Sequence, residues 1–239
     1  VFVLSCRKNN IIQNEVQIDN HIHTHTDLGT PGFPKMPIPV DNETTLEGIA
    51  LGRKLFYDKI LSGDETQSCA SCHQQSRAFS DDKRFSVGVD GISGKLNASA
   101  IINVGWQSLV FWDGRATNLE EQALEPVENP IEMHLSWKDA VFRINADENY
   151  RDEFKIAFGT DFITKELVTK AIAQFERSLI SNQSKFDKFL GGQIELTPLE
   201  LAGYNLFLSE KAECFHCHGR PLFTDDELHN NGLDINPDK

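Results

Sequence analysis

Histidine is absent from residue 74 to residue 133, methionine occurs only at Met36 and Met133, and no apolar run reaches the length of a membrane-spanning helix. The last of these absences argues against an integral membrane protein of the helical kind. Basic charge is also in short supply: 23 Lys and Arg stand against 36 Asp and Glu, a formal net charge of −13. A chain of that sign repels nucleic acid and anionic lipid, so neither is expected as a partner, whereas a cationic docking surface suits it. No stretch alternates convincingly in the manner of a β-strand, and the periodic segments are helical, so the expected class is all-α. Cysteine is scarce too, with five in 239 residues.

Four of those five fall in two copies of one pattern. Cys69-Ala70-Ser71-Cys72-His73 and Cys214-Phe215-His216-Cys217-His218 both read C-x-x-C-H. This is the attachment pattern of a c-type haem, in which two thiols add across the vinyl groups and the adjacent His ligates iron. Zinc sites built from C-x-x-C usually place two such motifs close together, whereas these two lie far apart in the chain. Two haems would also add apolar plates to a composition only 39% hydrophobic. The fifth cysteine ends Val1-Phe2-Val3-Leu4-Ser5-Cys6, which resembles the end of a signal peptide and a bacterial lipobox. A lipid anchor at Cys6 and a periplasmic location are therefore expected, in keeping with covalent haem attachment outside the cytoplasm.

Residues 7–43 read as a polar, Pro-rich linker. His21, His23 and His25 alternate there, in a tract read as solvated rather than metal-binding. Regular structure is expected from Thr44, where Thr44-x-x-Glu47 has the pattern of a capping box. Residues 74–105 read as a long ordered loop beside the first haem; loops of that length are usually functional. Thr117-x-x-Glu120 and Ser136-x-x-Asp139 predict two further helix starts. The clearest helix is 165–181, with Thr164 as cap and Val168, Ala171, Ile172, Phe175 and Leu179 on one face. Thr197-Pro198-Leu199-Glu200 opens the last helix before the second haem motif. The expected organisation is a leader and linker over 1–43 and two cytochrome c-like haem domains over 44–182 and 183–239.

From Gly48 to Gly219 the sequence resembles the bacterial di-haem cytochrome c peroxidase family, which includes the MauG-type enzymes. The resemblance rests on ordered blocks: Leu51 to Phe56, Ser68 to His73, Phe111 to Ala116, Glu121-Gln122-Ala123, Asn129 to Met133, Ala173 to Glu176, and the second haem motif. It implies that the N-terminal haem, with His73 as proximal ligand, is the peroxide site. The C-terminal haem, ligated by His218, would feed it electrons. Glu132 would be the acid–base residue, since one peroxide oxygen must lose a proton and the other gain one. Gln122 would be the pocket amide that orients peroxide. Trp112 would lie between the haems as an electron relay. Asn97 matches a residue of the family's interdomain calcium site, which adds one calcium ion to the two covalent haems. Without the resemblance, Glu132 reads as a solvated loop carboxylate, Gln122 as a helix-surface amide and Asn97 as a turn residue.

Two departures from the family stand out. Many members carry a His that caps the resting peroxidatic iron; Val89 occupies that position here. The histidine-free stretch makes this independent of register, and His134 is a poorer candidate ligand. The first iron is therefore expected to be open at rest, as in MauG-like members. The second departure is that 21 polar residues follow His218, with no Met among them. The sixth ligand of the second haem is expected from outside this chain, and the second domain is expected to be incomplete at its C-terminus.

The leading expectation is a peroxidase that reduces hydrogen peroxide to water with electrons from a small redox protein, a c-type cytochrome or a cupredoxin. The alternatives are MauG-like oxidation of a partner protein and a di-haem electron carrier without catalysis. A carrier has no need of an acid–base pair such as Glu132 and Gln122. A homodimer is compatible with either enzyme.

Overall fold

The computed structural model describes residues 32–230, together with Leu28, Thr30 and Gly232. Cys6, His21, His23 and His25 lie outside the described residues. Nine α-helices are joined by turns, short 3₁₀ segments and isolated bridges, with no β-strand among the described residues. None of these helices is long and apolar enough to cross a membrane.

The helices are α1 (Leu46–Tyr57), α2 (Cys69–Cys72), α3 (Leu119–Gln122), α4 (Leu124–Glu128), α5 (Trp137–Ala146), α6 (Glu148–Phe158), α7 (Lys165–Arg177), α8 (Lys185–Leu190) and α9 (Pro198–Phe207). Local chemistry sets several of their starts. Thr164 and Ser136 cap α7 and α5 through their side chains, and Thr197 and Glu200 form a reciprocal capping box on α9. Two expected caps shift by one residue. Thr45, not Thr44, receives the Gly48 N–H at the start of α1. Asn118, not Thr117, caps α3; Thr117 instead donates both its N–H and its hydroxyl to Glu121. Helix α7 stops at Arg177, short of the expected 181, because Ser178 turns its hydroxyl back onto the Phe175 carbonyl at 2.6 Å.

Helices α1 and α7 form the central pair, with one apolar cluster on each side. Leu51, Leu55, Val127, Ile144, Phe154, Val168 and Ile172 fill the first. Phe56, Phe79, Ile101, Val104, Leu119, Ala173 and Phe175 fill the second. The two helices approach closely because Gly48 and Gly52 face α7. A Cβ on Gly52 would lie 1.8 Å from the Ala171 carbonyl oxygen. Beside this crossing the buried Gln174 accepts from the Thr45 N–H at 3.0 Å and donates to Asn42 at 2.8 Å. Arg177 closes the end of α7 with a bidentate pair to Glu120, at 2.9 and 2.8 Å.

The obstacle at Gly52 is helix backbone, which cannot move without separating α1 from α7. Gly52→Ala should therefore destabilise by about 3 kcal/mol, the upper end for overpacking. Gly203, inside α9, has open space where its Cβ would be. Gly203→Ala should stabilise slightly, by about 0.5–1 kcal/mol, through helix propensity. Urea titration of both variants checks the pair; equal midpoints would contradict the crossing geometry.

Residues 183–230 are more open. Helix α9 buries no residue, and Leu199 and Leu206 are exposed. An aromatic group of Phe186, Phe189, Tyr204, Phe207 and Phe223 lies beside the second haem motif. The segment after that motif returns to the first unit, where Asp226 accepts the Ser108 N–H at 2.6 Å.

Candidate haem and peroxide site

Helix α2 is a single turn that sets Cys69 and Cys72 on one face. Ser68 and Ser71 hold it as a capping box, and the His73 N–H closes it onto the Cys69 carbonyl at 2.9 Å. The His73 Nδ1 lies 2.9 Å from the Phe79 carbonyl oxygen. A carbonyl only accepts, so Nδ1 carries the proton and Nε2 is left with a free lone pair. That is the tautomer a metal-bound imidazole needs. Burial holds the ring below its ordinary pKa and keeps it neutral.

The second motif repeats the device. His218 closes onto the Cys214 carbonyl at 3.0 Å, and its Nδ1 lies 3.0 Å from the Phe223 carbonyl. Phe79 and Phe223 both have left-handed backbones, φ 57° and 59°, which turn their carbonyls towards the histidines. The repeat therefore extends past C-x-x-C-H to Phe79-Ser80-Asp81-Asp82 and Phe223-Thr224-Asp225-Asp226. The C-x-x-C-H pattern by itself does not announce this second echo.

A cavity of about 350 Å³, mostly apolar, opens against Cys69, Cys72 and His73. Its walls also include Trp112, Gln122, Glu132 and Asn97, so one space brings together the residues singled out around the first motif. Val89 is next to it: its N–H donates to the Glu132 carbonyl at 2.9 Å, and the adjacent Gly88 lines the wall. His134 does not line the cavity; its Nδ1 pairs with Asp90.

Glu132 is half-buried, and burial raises its carboxyl above the ordinary glutamate value. Asn129 opposes that shift by donating its amide to the Glu132 carboxylate at 2.6 Å. The same Asn129 side chain accepts the Ile131 N–H, so it also shapes the turn that carries Glu132. In the sequence Asn129 is only one member of a block, and its Asn-Pro start is the available signal. Arg115 also lines the cavity. It pairs with Asp113 and Glu125, each at 2.8 Å, and its guanidinium lies 3.5 Å over the Phe111 ring.

Trp112 is 60% exposed at the cavity mouth and donates its indole N–H to the Asn97 carbonyl at 2.8 Å. The Asn97 amide donates to the Lys83 carbonyl at 2.7 Å, tying the 80–98 loop together. Among the described residues, a cluster of potential metal donors gathers Cys217, Asp225 and His229. Its sulfur belongs to the second haem motif.

The donor sets fit covalent haem. Each unit offers two thiols on one turn and an imidazole with a fixed tautomer, and the first adds an apolar cavity. A helical chain with two such units is by its chemistry a c-type haem protein. The profile of the family described as di-haem cytochrome c peroxidase matches residues 46–195, and the chain belongs to that family. It is 36% identical over 200 residues to the methylamine utilization protein MauG of Methylophilus methylotrophus, covering 83% of this chain and 60% of that protein. It is 39% identical over 188 residues to the cytochrome c peroxidase Ccp of Escherichia coli (strain K12), covering 78% of this chain and 40% of that one. The crystal structure of a MauG-like protein associated with microbial copper homeostasis superposes with a TM-score of 0.76 at 38% identity, covering 83% of this chain and 60% of that chain. This chain thus spans roughly half the length of the curated relatives it matches.

Proposed function

We propose that this chain carries the peroxide-reducing pocket of a di-haem c-type peroxidase. Two haem units, 44–182 and 183–239, would be anchored at Cys69/Cys72 and Cys214/Cys217, with His73 and His218 as iron ligands. The supporting observation is that Glu132, half-buried and held by Asn129, shares one cavity with His73 and Gln122. When bound, haem supplies an iron that can take up peroxide oxygen and pass electrons.

Glu132 does the proton work. As carboxylate it accepts the proton of the incoming peroxide oxygen, and as carboxylic acid it returns one to the oxygen that leaves as water. Two protons and two electrons then convert one peroxide into two waters, the electrons coming from a small redox protein. Gln122 presents an amide that can donate to one peroxide oxygen and accept from the other. Trp112, in the 108–114 segment whose Ser108 N–H meets Asp226, would relay electrons between the units.

A second reading, oxidation of a partner protein's side chains, is favoured by relatives of both kinds at similar identity. One experiment tests the proposal and separates the two. The full chain, matured in a periplasm, should carry two haems by intact mass and haem-stained denaturing gel. It should consume peroxide with a reduced c-type cytochrome or cupredoxin as donor. One haem, or none, would remove the proposal. Two haems with no donor oxidation would move the assignment to the partner-protein reading.

A further inference from the structure

Glu176 is a carboxyl group that the peroxide chemistry above does not use. It sits on α7, one turn after Ile172, and both line the first haem cavity. The residue is 6% exposed, and its Oε2 is buried with no hydrogen-bond partner. An isolated carboxylate in such a place is costly, so the site needs either a compensating charge or a proton.

The neighbouring charges supply little compensation. Arg177 is the nearest cation, but its guanidinium is held bidentate by Glu120 of α3, which cancels most of its field. Helix α1 turns Gly48, Leu51, Gly52, Leu55 and Phe56 inward, none of them charged. The residues that α5 and the 104–106 turn bury are uncharged as well. From α2 the facing group is Cys69, whose thiol is pushed up to about 12 by burial first and by Glu176 next. Cys72, His73, Lys95, Arg115 and Glu132 are the remaining titratable or charged groups on the cavity wall. Burial therefore dominates and holds the Glu176 carboxyl up at about 8, protonated at neutral pH.

Cys69 would anchor the porphyrin edge and not ligate iron, and Glu176, which lines the same cavity and acts on the Cys69 sulfur, would face that edge. We propose that Glu176 is the proton-holding residue of the first haem, taking up one proton when that haem takes up one electron. The inference rests on haem being bound at Cys69 and Cys72. The balance is simple: ferric haem, carboxylate, one proton and one electron from the redox donor would give ferrous haem and carboxylic acid. The cause is electrostatic. An electron added to a buried macrocycle raises the proton affinity of a nearby buried acid, and a proton on that acid raises the electron affinity of the haem by the same free energy. Above the pKa of the oxidised state, each electron then enters the pocket with its charge compensated; below it, the proton already held favours reduction. Glu176 is a positioning residue in this role, since it acts through the haem and not on peroxide.

The test is the midpoint potential of the first haem in the full, haem-loaded chain, followed against pH by spectroelectrochemistry. The wild-type potential should be flat at neutral pH, where the carboxyl is already protonated, and should fall as pH rises beyond about 8, approaching a tenfold change in the reduction equilibrium per pH unit, or 59 mV. Glu176→Gln, uncharged and of the same shape, should lose that slope and stay near the acid limit of the wild type. Glu176→Asp should restore a slope, and Glu132→Gln should keep it. Redox-difference infrared spectra of the wild type, recorded above about pH 8, should gain the carbonyl stretch of a protonated carboxylic acid on reduction. A wild-type potential independent of pH, or an equal slope in Glu176→Gln, would overturn the inference with the peroxidase reading intact. Absence of haem at Cys69 and Cys72 would overturn both. If Glu176→Gln does not fold, the wild-type slope and infrared band still decide.

Discussion

Replacing Glu132 by Gln should leave both haems attached and lower peroxide turnover by about a hundred- to ten-thousand-fold, the usual contribution of a general acid–base group. Gln keeps the volume of Glu and can accept from Asn129, so the turn at 129–133 should persist. What is lost is the ability to take a proton from one oxygen and return it to the other. Glu132 also dictates the pH dependence. The base form acts first, so kcat/KM should rise as pH climbs through the Glu132 pKa. Burial has raised that pKa, which sets the rise above the range of a free glutamate. Asn129 stabilises the charged form, so Asn129→Ala should move the rise to still higher pH and Glu132→Gln should abolish it. Stopped-flow peroxide kinetics across pH measure both. Unchanged kinetics in Glu132→Gln would transfer the proton work to another group or favour the electron-carrier reading.

The second large effect concerns the resting state of the first haem. The resemblance puts Val89 where many family members carry a histidine, and on that expectation the oxidised protein should show a high-spin ferric signal in electron paramagnetic resonance. Peroxide should then react without prior reduction of the second haem. The loop around Val89 is pinned in place. The Val89 N–H is bonded to the Glu132 carbonyl at 2.9 Å. At Gly88 an added Cβ would lie 2.3 Å from the Ile131 carbonyl oxygen. The His134 ring is engaged with Asp90 away from the cavity. Met133 does line the cavity and is the sulfur to watch; its side chain packs in the cluster with Leu61 and Val127. A wholly low-spin spectrum, with peroxide reactivity appearing only after one-electron reduction, would defeat this expectation. Met133→Leu would then show whether that sulfur is the ligand.

The parts of this protein legible in its sequence are those whose chemistry is local. C-x-x-C-H needs only one turn to present two thiols and an imidazole, so both haem motifs could be read directly. The caps at Ser136, Thr164 and Thr197 were readable because a side chain and the N–H groups two or three residues on decide them. The starts at Thr45 and Asn118 were missed by one residue. In each case two polar residues compete for the cap, and distant partners choose between them; Gln174 of α7 receives the Thr45 N–H.

Tertiary structure decided the rest. The resemblance named Glu132 and Gln122, but only packing puts them, with His73, around one cavity. Asn129 acquires its role because the Asn-Pro turn folds its amide onto the Glu132 carboxylate. Phe79 and Phe223 matter through their carbonyls, which no side-chain pattern announces. Glu176 differs from the many solvated glutamates of this acidic chain only because α7 buries it, with Arg177 already taken by Glu120. Residue identity determines which atoms can bind or carry a proton. Burial and neighbouring charge, which exist only once distant segments meet, determine which of those groups hold a proton at neutral pH.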